Sequence, residues 1–357
     1  MKSIESEAYS IHFNEHCYEE LDSYLEHSNF SKIFILVDSN THNYCLPKFL
    51  SNISYFSEFE IIEMEAGELN KTIDTCTQVW HTLTELEADR KSLLINLGGG
   101  VVTDLGGFVA SAFKRGISFI NVPTSLLAMV DASVGGKTGV DLGSLKNQVG
   151  VINFSEMVLI DTSFLKTLSI DEMRSGMAEM LKHGLIKDAN YWNRLDGLSH
   201  LKLSGLGALI HESIIIKNEV VTRDPNELGE RKQLNFGHTI GHAIESYCLE
   251  NKTKKTLLHG EAIAAGMVIE AYLSTKYCGL TNKELLKIKK VFTKMYGCVE
   301  FDTKDKKLII ELLKYDKKNS HGEVKYSLIE SIGKCKVDMI VDNDVIFEAF
   351  DYYASKQ

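Results

Sequence analysis

Proline is scarce in this 357-residue chain, with only Pro47, Pro123 and Pro225. No Pro-rich linker, low-complexity tract or solenoid-length repeat accompanies them. No apolar run approaches the ~20 residues needed to cross a bilayer, so no membrane partner is expected. The opening Met1-Lys-Ser-Ile-Glu-Ser-Glu lacks a basic start feeding an apolar core, which argues against a secretory signal. Seven cysteines (Cys17, Cys45, Cys76, Cys248, Cys278, Cys298, Cys335) are scattered, and none forms a CxxC pair. An odd, dispersed set reads as reduced thiols and a cytoplasmic location. A basic excess is also missing: 39 Lys and Arg stand against 49 Asp and Glu, a net charge of −10. Nucleic acid, which needs clustered cations, is therefore excluded as a partner. An anionic small substrate is not, because a local basic pocket focuses its own field.

What is present is ordinary globular material, 44% hydrophobic and 25% charged, in a chain long enough for two domains. The first half alternates apolar β-type runs with helical patterns. Residues 33–38, 59–64, 92–97, 118–122 and 157–161 read as buried strands, and 70–90 as a helix. Such alternation implies a parallel sheet covered on both faces, with ligands beyond the strand C-termini. After residue 170 the pattern turns helical (171–188, 206–222, 236–250, 260–278, 282–296, 305–315), and 324–329 is the one strand expected there. The expected fold is an α/β, Rossmann-like N-terminal domain over 1–170 and a mainly α-helical domain over 171–357. The active site is expected in the cleft between them.

The chemistry-bearing strings begin at Gly98-Gly99-Gly100, where a strand runs into a helical pattern. Amides at such a helix start can hold a pyrophosphate, and a plain tight turn is an equal reading. The GxGxxG fingerprint is absent. Asp38-Ser-Asn40 is placed to meet a ribose, or simply to turn the chain. The string around Lys137 resembles a P-loop fragment, but Asp131 stands where the first glycine is required. In the second half, Glu179 lies in an apolar helix with Lys182 one turn later. His238 and His242 are spaced i, i+4, and His259-Gly-Glu261 follows. One Glu with two His makes an open zinc site, whereas core histidines would carry no metal. HExxH fails at Thr239. Lys217, Arg231, Lys317 and Lys318 are surface charges by default. With Lys137, Lys146 and Lys182 they could bind a substrate bearing both carboxylate and phosphate.

In order along the chain, GGGVVTDLGGF, KRG, VPTSLL, DASVGGKT, LKNQVG, AEMLKHG, LNFGHTIGHAIE, HGEA and DKKN resemble the 3-dehydroquinate synthase family of sugar phosphate cyclases. The likeness runs from about Asp38 to Asn319. It implies conversion of 3-deoxy-D-arabino-heptulosonate 7-phosphate to 3-dehydroquinate and phosphate. The implied steps are transient oxidation by NAD, phosphate elimination, re-reduction and internal aldol closure, within the shikimate pathway. It implies NAD and a divalent metal, zinc first and cobalt second, with Glu179, His238 and His259 as metal ligands. It implies NAD contacts from Asp38, Gly67, Glu68, Lys71, Gly99, Gly100, Val101, Val102, Thr103, Asp104, Thr124, Ser125, Lys137, Lys146, Phe164, Leu165, Lys166 and Thr167. Ser125 stands where a second Thr is usual and keeps a hydroxyl. Catalytic groups would be His242, Lys137, Lys182, Asn147 and Asp131. Lys217, Arg231, Asn235 and one of Lys317 or Lys318 would bind substrate. Arg115 would reach the phosphate of a neighbouring subunit, implying a homodimer.

Overall fold

The computed structural model describes residues 1–6, 8–55, 58–196, 205–315 and 323–355. Lys317 and Lys318 lie outside the described residues. In chain order the strands of the first half are β1 (Ile4–Glu5), β2 (Ser10–Phe13), β3 (Ile33–Asp38), β4 (Phe59–Met64), β5 (Leu93–Gly98), β6 (Ser118–Pro123), β7 (Lys137–Leu142), β8 (Leu145–Ile152) and β9 (Met157–Ile160). Seven pair in the order β1-β2-β9-β6-β5-β3-β4, all parallel except β1 with β2. β7 and β8 form a separate antiparallel hairpin.

The apolar runs become strands because helices cover the sheet. These are α1 (Glu15–His27), α2 (Ser39–Tyr44), α3 (Leu46–Asn52), α4 (Ile73–Glu85) and α5 (Gly100–Ala112). Leu93 to Leu97 are all fully buried, as a central parallel strand requires. From β4 inward the sheet runs β4-β3-β5-β6-β9, the doubly wound order whose direction reverses between β3 and β5. Ligands of such sheets bind outside the strand C-termini at that reversal. Asp38 ends β3 and the glycine turn follows β5, so both flank it.

The second half begins with α6 (Ile170–Lys187) and α7 (Ala189–Asp196), and continues with α8 (Leu206–Arg223), α9 (His238–Glu250), α10 (His259–Tyr277), α11 (Asn282–Tyr296) and α12 (Thr303–Leu312). A hairpin of β10 (Tyr326–Ser331) with β11 (Lys334–Met339) and α13 (Asn343–Ala354) completes the described residues. The expectation of one strand here is corrected to two. β11 reads Lys-Cys-Lys-Val-Asp-Met and alternates exposed with half-buried positions, so it carries no apolar run. By internal packing the chain divides into two units. Among the described residues, one takes those up to Ser169 with α8 as far as Asn218; the other takes Ile170 to Asp196 and those from Glu219 onward. In the second unit α6 and α10 are buried along most of their length.

Candidate functional site: a polar cradle and a metal centre

In the first unit Gly99 caps α5, and the first amides of that helix have no partner within it. Thr124 N donates to Gly98 O at 2.9 Å, drawing the end of β6 against the turn. Ser125 Oγ accepts from Ala128 N at 3.2 Å. The side chains of Val102, Thr103, Phe164 and Leu165 are packed in the core, which leaves the backbone as the part of each that a ligand could meet. Asp38 caps α2, its Oδ1 accepting from Thr41 N at 2.7 Å.

Behind the glycine turn lies a dense ionic network. Lys71 Nζ sits 2.6 Å from Asp104 Oδ2 and 2.6 Å from Asn147 Oδ1. Lys146 Nζ contacts Glu68 and lies 2.8 Å from Asp141 Oδ2. Asp141 Oδ1 accepts from Asn147 N at 2.7 Å, holding Asn147 in the left-handed region at φ 52°. Burial works against the charge on Lys71, but Asp104, Glu68 and Asp141 outweigh it and raise its pKa. Asp141 went unassigned in the sequence because a lone Asp in an apolar hairpin carries no motif. Elsewhere in this unit Lys217 Nζ donates to Asp131 Oδ1 at 2.6 Å. Lys137 opens β7 after two left-handed glycines and lines a small polar cavity with Asn121, Ser133 and Thr138. Arg115 is exposed, on a turn where Lys114, Arg115 and Gly116 have φ of 48°, 73° and 115°.

In the second unit three helices bring Glu179, His238 and His259 together. Glu179 lies mid-α6 and is fully buried. His238 is the first residue of α9, set by Gly237 at φ 80°. A Cβ at Gly237 would lie 2.2 Å from Met267 Cγ. His259 is the first residue of α10. Glu179 Oε1 stands 3.5 Å from His238 Nε2 and 3.7 Å from His259 Nε2. Ligands bonded at 2.0–2.2 Å to a tetrahedral ion lie about 3.3–3.6 Å apart, so this spacing suits a divalent cation.

The outer partners agree. His259 Nδ1 is 3.1 Å from Glu245 Oε2, and His238 Nδ1 is 3.2 Å from the Phe236 carbonyl oxygen. Each contact orients the ring with Nε2 inward, as metal-binding histidines require. Burial pulls the His259 pKa down, but Glu245 and Glu179 outweigh it and lift it to about 10. A bound divalent cation would displace that proton. Glu179 is also ion-paired with Lys182. The His242 ring lies 5.1 Å from that of His238 and 5.7 Å from that of His259, centre to centre. Arg231 Nη1 donates to Pro225 O at 2.6 Å, and Asn235 Nδ2 to Glu227 Oε1 at 2.6 Å. The segment between α9 and α10 is tied down where Lys254 Nζ meets Asp305 Oδ2 at 2.5 Å. Glu245 and Glu227 were missed as partners because single carboxylates near a His or Asn carry no spacing rule.

Family models of the 3-dehydroquinate synthase N-terminal and C-terminal regions match residues 61–175 and 176–319. A 3-dehydroquinate synthase of Parabacteroides distasonis is 43% identical over 336 residues, covering 94% of each chain. Among solved structures, a 2-deoxy-scyllo-inosose synthase with carbaglucose-6-phosphate, NAD+ and Co2+ superposes with TM-score 0.83 at 26% identity, covering 96% of both chains. A 2-epi-5-epi-valiolone synthase from Streptomyces hygroscopicus subsp. jinggangensis, with NAD+ and Zn2+ bound, shares the fold at TM-score 0.87, 24% identity and 99% coverage of both. The class is thus that of phosphate-eliminating cyclases, lyases built on an α/β unit and a helical unit. Within that class, the chain belongs to the 3-dehydroquinate synthase family.

Proposed function

We propose that the chain converts 3-deoxy-D-arabino-heptulosonate 7-phosphate to 3-dehydroquinate and phosphate, the cyclase step of the shikimate pathway toward aromatic amino acids. It would act as a homodimer in the cytoplasm. One observation carries the reading: a buried acid with two oriented imidazoles, each Nε2 within 3.5–3.7 Å of the same carboxylate oxygen. Glu179, His238 and His259 would hold zinc, or cobalt in its place. The glycine turn, Glu68, Lys71, Asp104 and Lys146 would hold NAD. When bound, the cation supplies Lewis acidity toward substrate hydroxyls and NAD supplies a reversible oxidation.

The chain's own residues bind, orient and move protons. His242, an imidazole suited to neutral pH, would carry a proton beside the metal ligands. Lys182 now neutralises Glu179. A divalent cation on the same carboxylate would leave the Lys182 ammonium for a phosphate oxygen, with Asn147 as a second phosphate contact. Arg231, only 1% exposed, and Lys137 would hold the carboxylate or hydroxyls. Lys217, Asn235 and Asp131 would complete the anion and hydroxyl contacts. Arg115, exposed on its left-handed turn, would reach the phosphate held by a second copy. Holding reactants in place is worth roughly 7–11 kcal/mol of barrier, so positioning carries most of the protein's contribution.

The test is phosphate release from the heptulosonate phosphate. Release that requires NAD, stops with a chelator and leaves no net NADH is expected. Stoichiometric NADH, or no phosphate from the NAD- and zinc-loaded chain, contradicts the proposal.

A further inference from the structure

Helices α9 and α10, each beginning at a histidine of the metal centre, hold one another through two exchanged carboxylates. Glu245 of α9 faces His259 of α10, as described above. In the other direction Glu270, three turns into α10 and completely buried, reaches the start of α9. Its Oε2 accepts from Gly237 N at 2.6 Å and its Oε1 from Ile240 N at 3.1 Å. Those amides flank His238. A helix start normally meets such donors with a Ser, Thr, Asp or Asn side chain at the cap. Here the cap is Gly237, which has none, and Met267 leaves no room for one. A Cβ at Gly266 would lie 2.1 Å from Gly237 O, so the two helices touch at this crossing. Glu270 lies one turn beyond it. Ser274 Oγ donates to Glu270 O at 2.7 Å and accepts from Ile329 N at 3.0 Å, anchoring this stretch of α10 to β10. A buried carboxylate at a helix N-terminus is favoured by the positive end of the macrodipole, which explains why this anion tolerates full burial.

We propose that Glu270 is a positioning residue of the metal centre. By capping α9 from across the helix crossing, it fixes where His238 presents Nε2 to the cation. The proposal rests on Glu179, His238 and His259 being the ligands. Cation affinity then depends on a carboxylate that does not touch the cation, and the first unit's hold on NAD does not.

The experiment titrates cobalt(II) into the full chain, followed by the visible absorption of the bound ion, with NAD affinity measured in parallel. Glu270→Gln turns an NH2 donor toward a backbone N–H. It is expected to weaken cobalt binding roughly 10–100-fold, the range for lost outer partners of metal ligands, with NAD affinity unchanged. Glu270→Asp, which keeps the charge, is expected to recover part of the loss. Cobalt affinity of E270Q within about twofold of the parent overturns the proposal. If the parent takes up no cobalt, or H238A takes up as much, the ligand reading fails first and the proposal falls with it. Should E270Q not fold, hydrogen exchange of the unaltered chain decides. Gly237 and Ile240 amides protected like the α9 interior support the cap, and exchange at the rate of free peptide overturns it.

Discussion

Gly260, the residue after His259, is the position where one methyl group should disable the metal centre. Its backbone lies against α6 at Ser175, one turn before Glu179, and Gly260 N donates to Ser175 Oγ at 2.9 Å. A Cβ there would sit 2.2 Å from Ser175 O and 2.4 Å from Ser175 Cα. These are backbone atoms within a buried helix, so no side chain can swing away. Restoring ordinary contact at 3.4 Å requires the two helices to part by about 1.2 Å. Overpacking of this kind costs about 1–3 kcal/mol of stability. The larger effect falls on the cation. His259 rides on α10 and Glu179 on α6, and metal–ligand bond lengths hold to within about 0.2 Å, far less than this separation of the helices. Gly260→Ala should therefore lower the melting temperature modestly and weaken zinc binding at least tenfold, read by competition against a chromophoric chelator. NAD affinity, assigned above by proposal to the other unit, should not change. Zinc affinity within twofold of the parent would refute the claim that the approach of α10 to α6 sets the centre.

Three further outcomes follow from contacts already described. Glu245→Ala removes the acceptor facing His259 Nδ1 and should weaken zinc binding roughly tenfold, seen in the same competition, with H238A losing it altogether. Lys71→Met leaves Asp104 without its ammonium partner. It should lower the denaturant-unfolding free energy of the first unit by about 3 kcal/mol, the low end for a broken buried pair, and raise the NAD dissociation constant. Asp305 should produce an acid-side signature. Burial disfavours its charge, but Lys254, Tyr247 and the Asp302 amide outweigh burial and hold its pKa below the ordinary carboxylate value. The stabilisation is thus in place above pH ~4 and is lost as pH falls through the depressed value. Asp305→Asn should be less stable at neutral pH and flatter in its stability profile below pH 4, and an unchanged acid limb would contradict this.

The parts of the fold legible in the sequence were those where burial leaves a strong pattern. β3 and β4 fall on residues 33–38 and 59–64 because both are unbroken apolar or alternating runs. Helices α9, α10 and α11 lie within two residues of the expected ranges, α11 because its apolar face repeats at the helical period, α9 and α10 because each is a run of small and apolar residues too long for a strand and buried along most of its length. Elements with mixed faces were not legible. α1, β11 and the β7–β8 hairpin are interrupted by charges or glycines throughout, and tertiary partners decide their form. For the site, the spacing of His238 and His242 and the strings around Glu179 and His259 could be read along the chain. The outer carboxylates could not. Glu245, Glu270 and Asp141 matter because of what folding places opposite them, and a lone acid in an apolar run looks the same whether it caps a helix or faces solvent.

The measurement that bears most directly on the central claim is zinc-edge anomalous diffraction from crystals of the chain loaded with Zn2+. A single strong peak bonded to a Glu179 oxygen and to Nε2 of His238 and His259 at 2.0–2.2 Å is the result expected. His238, His242 and His259 form a second candidate group, each offering one ring nitrogen within 4.8 Å of the others'. Zinc on those three imidazoles with Glu179 still paired to Lys182, or zinc on neither set, would contradict the account.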